Sequence, residues 1–412
     1  MKKIKKILIA GSSTFTVKNL GDESMLLNLI QSIKNYDKKI KIVLLARHPS
    51  KKIEQLYRIK TIKNFEFDKR SDSLGNFFYG FNSTEISKHF DEIRKNLISA
   101  DMVILAGNLF MELFPNSFLK GVASYTALMG VLSKFFNKKL YLASVNITET
   151  VEQPIVKEYL NFLSKNAEKV FVREKSAQKK LLATSFNPKK ISVEGDPAFG
   201  IDINFEKKII KKFIKDENII SKKNKLISVC IRVEYWKNNF STKVSNKLFM
   251  KYARILSKLS KRTGATLLFV PNGFYNARKW MDDRVVHKKI INYLDKKTKY
   301  ISINRELNIF ETVNLHSLSD FHITNRRHSI VFAAIKNIPT AIINTNLKGH
   351  LEPLAKDIGL IKNLINFNLS ETKIFDKIFN GWKNRKNTKK IMRPKVSLLR
   401  RSAKTQFKKL IK

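Results

Sequence analysis

The chain is 412 residues long, 43% hydrophobic and 10% aromatic, which is enough for real cores and excludes a disordered chain. Its 80 Lys and Arg against 34 Asp and Glu give a formal charge of +46 and point to an anionic partner, although joint richness in Lys, Ile, Asn and Phe is also what a biased coding sequence produces. The lone cysteine, Cys230, excludes an intramolecular disulfide and a thiolate metal cluster, and no run reaches the ~20 apolar residues of a transmembrane helix.

In chain order, short apolar runs alternate with amphipathic stretches of helical length. Ile7–Ala10 is too short for a signal-peptide core and reads as a first strand. Further strands are expected at Ile40–Ala46, Met102–Ala106, Leu140–Val145, Val170–Val172 and Ile191–Val193. Helices are expected between them at Glu23–Lys34, Thr84–Leu97, Leu119–Phe136, Gln153–Asn166 and Ser176–Leu182. Uninterrupted apolar runs suit strands covered on both faces, so residues 1–203 read as a Rossmann-like, doubly wound parallel-sheet domain. The Lys-rich stretch 204–225 reads as a linker.

The same grammar then restarts. Strands are expected at Leu226–Ile231, Thr266–Val270, Tyr300–Ile303, Phe321–Ile323 and Thr340–Ile343. Helices are expected at Val244–Leu259, Arg284–Leu294, Asn308–Leu318, Ser329–Lys336 and His350–Ile358. Residues 226–375 therefore read as a second Rossmann-like domain, and two such domains place a ligand cleft at the carboxyl ends of their strands. Residues 376–412 read as a basic helical tail: 381–412 holds 13 Lys or Arg and no acid, with Val396, Leu399, Ala403, Phe407 and Leu410 at three- and four-residue spacing. Such a helix either lies on anionic lipid or packs its stripe on the body.

Five constellations fall at strand ends. Asn19-Leu20-Gly21-Asp22-Glu23 opens the first helix, where Asp22 is either a cap or a cleft-facing carboxylate. Arg173-Glu174-Lys175-Ser176 follows one strand, and Gly195-Asp196-Pro197 follows the next. Arg232 ends the strand Leu226–Ile231, a place suited to bidentate binding of a phosphate or carboxylate and equally to an ion pair. Asn325-Arg326-Arg327-His328 opens a helix, where cations run against the local preference and a bound anion would relieve the conflict. Asn346-Leu347-Lys348-Gly349 adds a further cation. Cys230, His316 and His322 read as core residues, and the aromatics Tyr235, Trp236, Phe274, Tyr275 and Trp280 read either as a sugar-stacking group or as plain hydrophobes. Neither a P-loop nor a Gly-x-Gly-x-x-Gly fingerprint occurs, and no set of residues has metal-ligand spacing.

Taken in order, these motifs resemble the polysaccharide pyruvyltransferase family over about residues 7–360. The matching residues are Asn-x-Gly-Asp-Glu from Asn19, Val-Arg-x-x-Ser around Arg173, Gly-Asp-Pro-Ala-Phe from Gly195, Arg232 at its strand end, Arg326-x-His328, and Lys348. Glu174 stands where the family usually has aspartate, and the glycine-rich loop of its first domain is reduced to Ala106-Gly107-Asn108-Leu109.

The resemblance implies a GT-B-like arrangement and transfer from phosphoenolpyruvate onto two hydroxyls of a sugar or lipid-linked glycan. The donor would be held by Arg173, Arg232, Arg326 and Lys348, with His328, Asp22 and Asp196 as catalytic groups. The acceptor would meet Asn19, Asp22 and Trp236. No metal, no cofactor beyond the donor and no specific nucleic acid is expected, and the protein is expected in the cytoplasm or at the inner face of the membrane. The rival reading is a GT-B glycosyltransferase that uses a nucleotide sugar.

Overall fold

The computed structural model describes residues 3–11, 18–65, 84–107, 122–147, 154–184, 186–202, 225–233, 246–274, 282–345 and 351–411. The expected linker (apart from Lys225), the loop carrying Lys348, and Tyr235, Trp236, Tyr275 and Trp280 lie outside these residues. The chain forms two compact units, one of Met1–Val17, Asp22–Ile201 and Ser402–Lys412, the other of Lys18–Gly21 and Asp202–Arg401.

The first unit is built on β1 (Lys6–Gly11), β2 (Lys41–Ala46), β3 (Lys60–Lys63), β4 (Met102–Ala106), β5 (Lys139–Val145), β6 (Ala167–Val172) and β7 (Ile191–Val193). All pair in parallel, in the order β3-β2-β1-β4-β5-β6-β7. The helices are α1 (Leu20–Tyr36), α2 (Lys51–Tyr57), α3 (Thr84–Ile98), α4 (Val122–Phe135), α5 (Pro154–Asn166) and α6 (Lys175–Leu182). Strand order reverses between β1 and β4. There Gly11 pairs with Ala106 so closely that a Cβ on it would stand 2.0 Å from the Ala106 carbonyl oxygen.

The second unit repeats the plan with β8 (Leu226–Cys230), β9 (Thr266–Phe269), β10 (Tyr300–Ser302), β11 (Phe321–Thr324), β12 (Thr340–Asn344) and β13 (Leu364–Asn366). Its parallel order is β10-β9-β8-β11-β12-β13, with the switch point between β8 and β11. Its helices are α7 (Asn246–Thr263), α8 (Asp283–Ile291), α9 (Ile309–Ser317), α10 (Arg327–Ile335), α11 (Leu351–Asp357) and α12 (Glu371–Lys383). Central strands are buried on both faces, as their apolar runs require. His316 and His322 are fully buried: His322 faces Ser228 across the β8–β11 register, and its other ring nitrogen lies 2.8 Å from the Ser329 hydroxyl.

The C-terminal stretch is integral to both units. Helix α12 buries Ile374, Phe375, Ile378 and Trp382 in the second core, then α13 (Arg385–Lys404) and α14 (Gln406–Ile411) complete the chain. The predicted apolar stripe is turned inward: Val396, Ala403, Phe407 and Leu410 are buried, and Leu399 is half-buried. Within the first unit this end is tied to α1. The Asn28 amide donates to the Ala403 carbonyl at 3.1 Å, the Ser32 hydroxyl donates to the Lys404 carbonyl at 2.9 Å, and Phe407 meets the Tyr36 ring edge-on. Gln406 donates to the Glu194 carbonyl, and Lys409 pairs with the Glu194 carboxylate, so the same segment holds the loop that leads into Gly195-Asp196-Pro197.

Candidate functional site

In an open parallel sheet, ligands bind outside the carboxyl ends of the strands where strand order reverses. In the second unit that point lies between β8 and β11, and the chain leaves these strands through Arg232 and Arg326. Asn325 locks the pair of strand ends together. Its side-chain oxygen accepts from the Arg232 N–H at 2.8 Å, and its amide donates to the Arg232 carbonyl at 2.6 Å. Thr324 adds a second tie, its hydroxyl donating to the Cys230 carbonyl at 2.7 Å and accepting from the Arg326 N–H at 3.0 Å.

Arg326 is the N-cap residue of α10, whose first turn holds no acid. The first-turn amides, which have no partner within the helix itself, and the cations there form the anion-favouring end of a helix. His328 sits in this turn, half-buried against Gly21: a Cβ on Gly21 would lie 2.2 Å from His328 Nδ1. The Asn19 side chain accepts from the Gly21 N–H, and its backbone forms an antiparallel bridge with Gly273. The Leu20 N–H donates to the Asn272 carbonyl, and the Phe274 N–H donates to the Lys18 carbonyl. Asn19, Gly21, Arg232, Arg326 and His328, all singled out in the sequence, thus gather at one end of one sheet.

Asp283 is the residue that sequence reasoning missed. It is fully buried at the start of α8, and its Oδ1 lies 3.0 Å from Arg326 Nη2. Its Oδ2 accepts from the Asn272 and Gly273 N–H groups at 2.9 and 3.0 Å, with the Cys230 thiol 3.8 Å away. Burial pushes its carboxyl up, while Arg326 and the two amides pull it back down. Arg326, expected to face only the donor, therefore has one edge committed to a buried carboxylate. Asp282-Asp283 lies just before the helix expected at Arg284–Leu294, where acids ordinarily serve as caps. Asp282 is one, accepting from the Arg284 N–H at 2.9 Å. One turn on, His287 accepts from the Ile231 N–H, and burial followed by the charge of Arg326 pushes its pKa down to about 3. Burial also pushes the Cys230 thiol up, as suits a core cysteine.

The first unit holds the second cluster. Arg173, one residue beyond β6, lies with Nη1 3.8 Å from the Asp196 carboxylate, and both side chains are almost wholly buried. Asp196 also accepts from the Ala198 N–H, capping the short turn Pro197–Gly200, and Arg173 contacts Met25 Sδ on α1. Asp22 is buried in the first turn of that helix. Arg173 and Asp196, expected as a donor ligand and a catalytic carboxylate, are thus joined as an ion pair.

The profile of the polysaccharide pyruvyl transferase family matches residues 19–346, which spans both clusters. This chain belongs to that family. The matched range runs from Asn19 through Arg173, Asp196 and Arg232 to Arg326 and His328. Comparison with curated proteins gives no match.

Among solved structures, the UDP-GlcNAc 2-epimerase of Neisseria meningitidis, bound to UDP-GlcNAc, aligns with a TM-score of 0.64 at 12% identity over 99% of each chain. HepE of Anabaena, solved with UDP and glucose, gives 0.59 at 13% over 99% of each. A glycosyltransferase of Rickettsia africae gives 0.59 at 17%, covering 100% of this chain and 99% of that one. At these identities the likeness is one of fold: the pyruvyl transferase family member shares the GT-B-like architecture of nucleotide-sugar enzymes.

Proposed function

We propose that this chain transfers the pyruvyl group of phosphoenolpyruvate onto two hydroxyls of a sugar or lipid-linked glycan, forming a pyruvate ketal for a surface polysaccharide. The observation that carries the reading is the convergence of Arg232 and Arg326 at the β8–β11 switch point, with His328 in the helix turn that follows. Phosphoenolpyruvate brings a carboxylate and a phosphate, about three negative charges near neutral pH. Fixed guanidinium groups and a helix N-terminus match that demand, and Lys348 is assigned as a further donor ligand.

In the proposed reaction the donor's methylene carbon takes a proton and becomes the methyl group of the ketal. Carbon C2, now electron-poor, bonds to the first hydroxyl oxygen. The bond from C2 to the phosphate oxygen breaks, and the second hydroxyl oxygen takes its place. Of the two hydroxyl protons released, one balances the proton placed on carbon and the other leaves with phosphate. His328 is the proposed acid or phosphate ligand, as a group that exchanges protons near neutral pH. Asp22 is the proposed acceptor of a hydroxyl proton, and Asn19 and Trp236 are assigned to the acceptor sugar. Asp196, already an ion-pair partner and a cap, contributes chiefly by holding Arg173. The donor is itself the activated species, so the proposal includes no metal and no cofactor.

Thermal shift separates this from the nucleotide-sugar reading that the fold also accommodates. Phosphoenolpyruvate should raise the melting temperature of the wild type and not of Arg326→Ala. Stabilisation by UDP alone would favour the rival.

A further inference from the structure

The amphipathic C-terminal stripe is turned into the protein. A different apolar patch is left outside. Phe135 is 80% exposed, the most of any large hydrophobic among the described residues, and Val131, one turn earlier on α4, is 50% exposed. Ile98, the last residue of α3, is 44% exposed, and its carbonyl accepts from Lys138 Nζ at 2.6 Å, which draws the two helix ends together. The Phe135 ring rests edge-on against Phe136, itself packed on the core, so its outward position is braced.

The α4 side of the patch carries one sign of charge. Lys134, Lys138 and Lys139 lie within residues 131–139, which contain no acid, and Lys134 and Lys139 are exposed. Because α3 and α4 lead into β4 and β5, the patch stands at the amino edge of the first sheet. Arg173 and Asp196 follow their strands at the opposite edge.

We propose that this face docks on an anionic lipid bilayer, with Phe135 and Val131 entering the interface and the lysines meeting lipid phosphates. The chemistry selects that partner. Lysine is depleted from the cores of protein interfaces, and three apolar side chains are far short of the 20–30 residues a stable partner would engage. A small apolar tip flanked by lysines instead matches a lipid surface, where the lysine stems lie along apolar chains and their ammonium groups reach the headgroups. The inference does not depend on the donor chemistry, since docking is read without turnover.

The test is co-sedimentation of the full chain with phosphatidylcholine vesicles, with and without phosphatidylglycerol, at physiological salt. A protein this basic adsorbs to anionic vesicles through charge alone, so the decisive variant is Phe135→Ser, which leaves the charge unchanged. Expected is binding only to the anionic vesicles, weakened about tenfold to a hundredfold by Phe135→Ser, with circular dichroism and melting temperature as in the wild type. Charge reversal at Lys134, Lys138 and Lys139 should weaken binding by at least as much as Phe135→Ser does, with charge-driven adsorption by the rest of the chain remaining. The α13 variant Leu398→Ser is the internal control, since Leu398 is 63% exposed amid the basic residues of that helix, and it should bind as the wild type does. Equal binding by wild type and Phe135→Ser, loss with Leu398→Ser instead, or a wild-type dimer that Phe135→Ser dissociates would each overturn the proposal.

Discussion

At the residue scale, Gly21 and Asp283 fix the geometry of the switch point of the second sheet. Gly21 gives His328 its place: the imidazole occupies the space a Cβ would take. Gly21→Ala should push the ring aside and cut phosphoenolpyruvate turnover about 100-fold, the usual cost of misplacing a reacting group by an ångström. The check is steady-state kinetics beside a melting curve that moves little. Asp283 holds Arg326 from below with a buried carboxylate that two backbone amides also fix. Asp283→Asn should raise the KM for phosphoenolpyruvate about tenfold to a hundredfold while kcat falls less. Combined with Arg326→Lys, the two losses should be markedly non-additive, because one residue acts through the other. Additive effects would mean that Asp283 serves only the fold.

At the element scale, the apolar runs located eleven of the thirteen strands among the described residues, and the two not foreseen share a physical reason. β3 and β13 are edge strands, each with one strand neighbour. β7 and β10 are edges too, but β3, Lys-Thr-Ile-Lys, holds a single apolar residue, and the Leu-Ile pair of β13 is enclosed by Asn363 and Asn366, so neither offers an apolar run to read. The strand-end motifs were legible because they break the pattern of their surroundings, as cations do at the N-terminus of α10. Asp283 was not, since a buried partner looks like a cap until the fold brings Arg326 to it. The direction of the C-terminal stripe was equally hidden, because periodicity gives a face and not what covers it.

That stripe supplies a stability test. Phe407 is fully buried against Tyr36, so Phe407→Ala should cost about 3–5 kcal/mol in denaturant unfolding, provided the first unit unfolds in a single transition. The second unit has a pH signature. Burial pushes the pKa of His287 and of His316 down to about 3, and it pushes His322 well below its ordinary value. A depressed folded-state pKa means that the unfolded chain binds the proton more readily, so this stability is present above about pH 6.5 and is lost as pH falls towards 3. Each histidine contributes a slope of up to about 1.4 kcal/mol per pH unit within that window. Asp283, raised by burial, works in the opposite sense and offsets part of it. Denaturant midpoints should therefore fall steadily below pH 6.5, and a flat profile between pH 6.5 and 4.5 would contradict these assignments.

At the scale of the whole molecule, the charge of +46 divides by location. Residues 381–412 carry 13 cations, and the helices of this stretch bury their apolar side, so the charge there covers the surface of a packed end. A few cations are set into the fold: Arg232 and Arg326 at one switch point, and Arg173 in a buried pair. Among the described residues, many of the others lie on helix faces. The fold is shared with nucleotide-sugar enzymes, and the family profile, which spans both clusters, places the chain among the polysaccharide pyruvyl transferases. The choice of donor is the central claim. It is tested most directly by following phosphate release from phosphoenolpyruvate across a panel of lipid-linked and nucleotide-linked glycans, with mass spectrometry of the acceptor and Arg326→Ala as control. The account predicts acceptor-dependent release, one phosphate for each carboxyethylidene group gained by the glycan, and its loss in Arg326→Ala. Sugar transfer from a UDP-sugar without any phosphate release from phosphoenolpyruvate would contradict it.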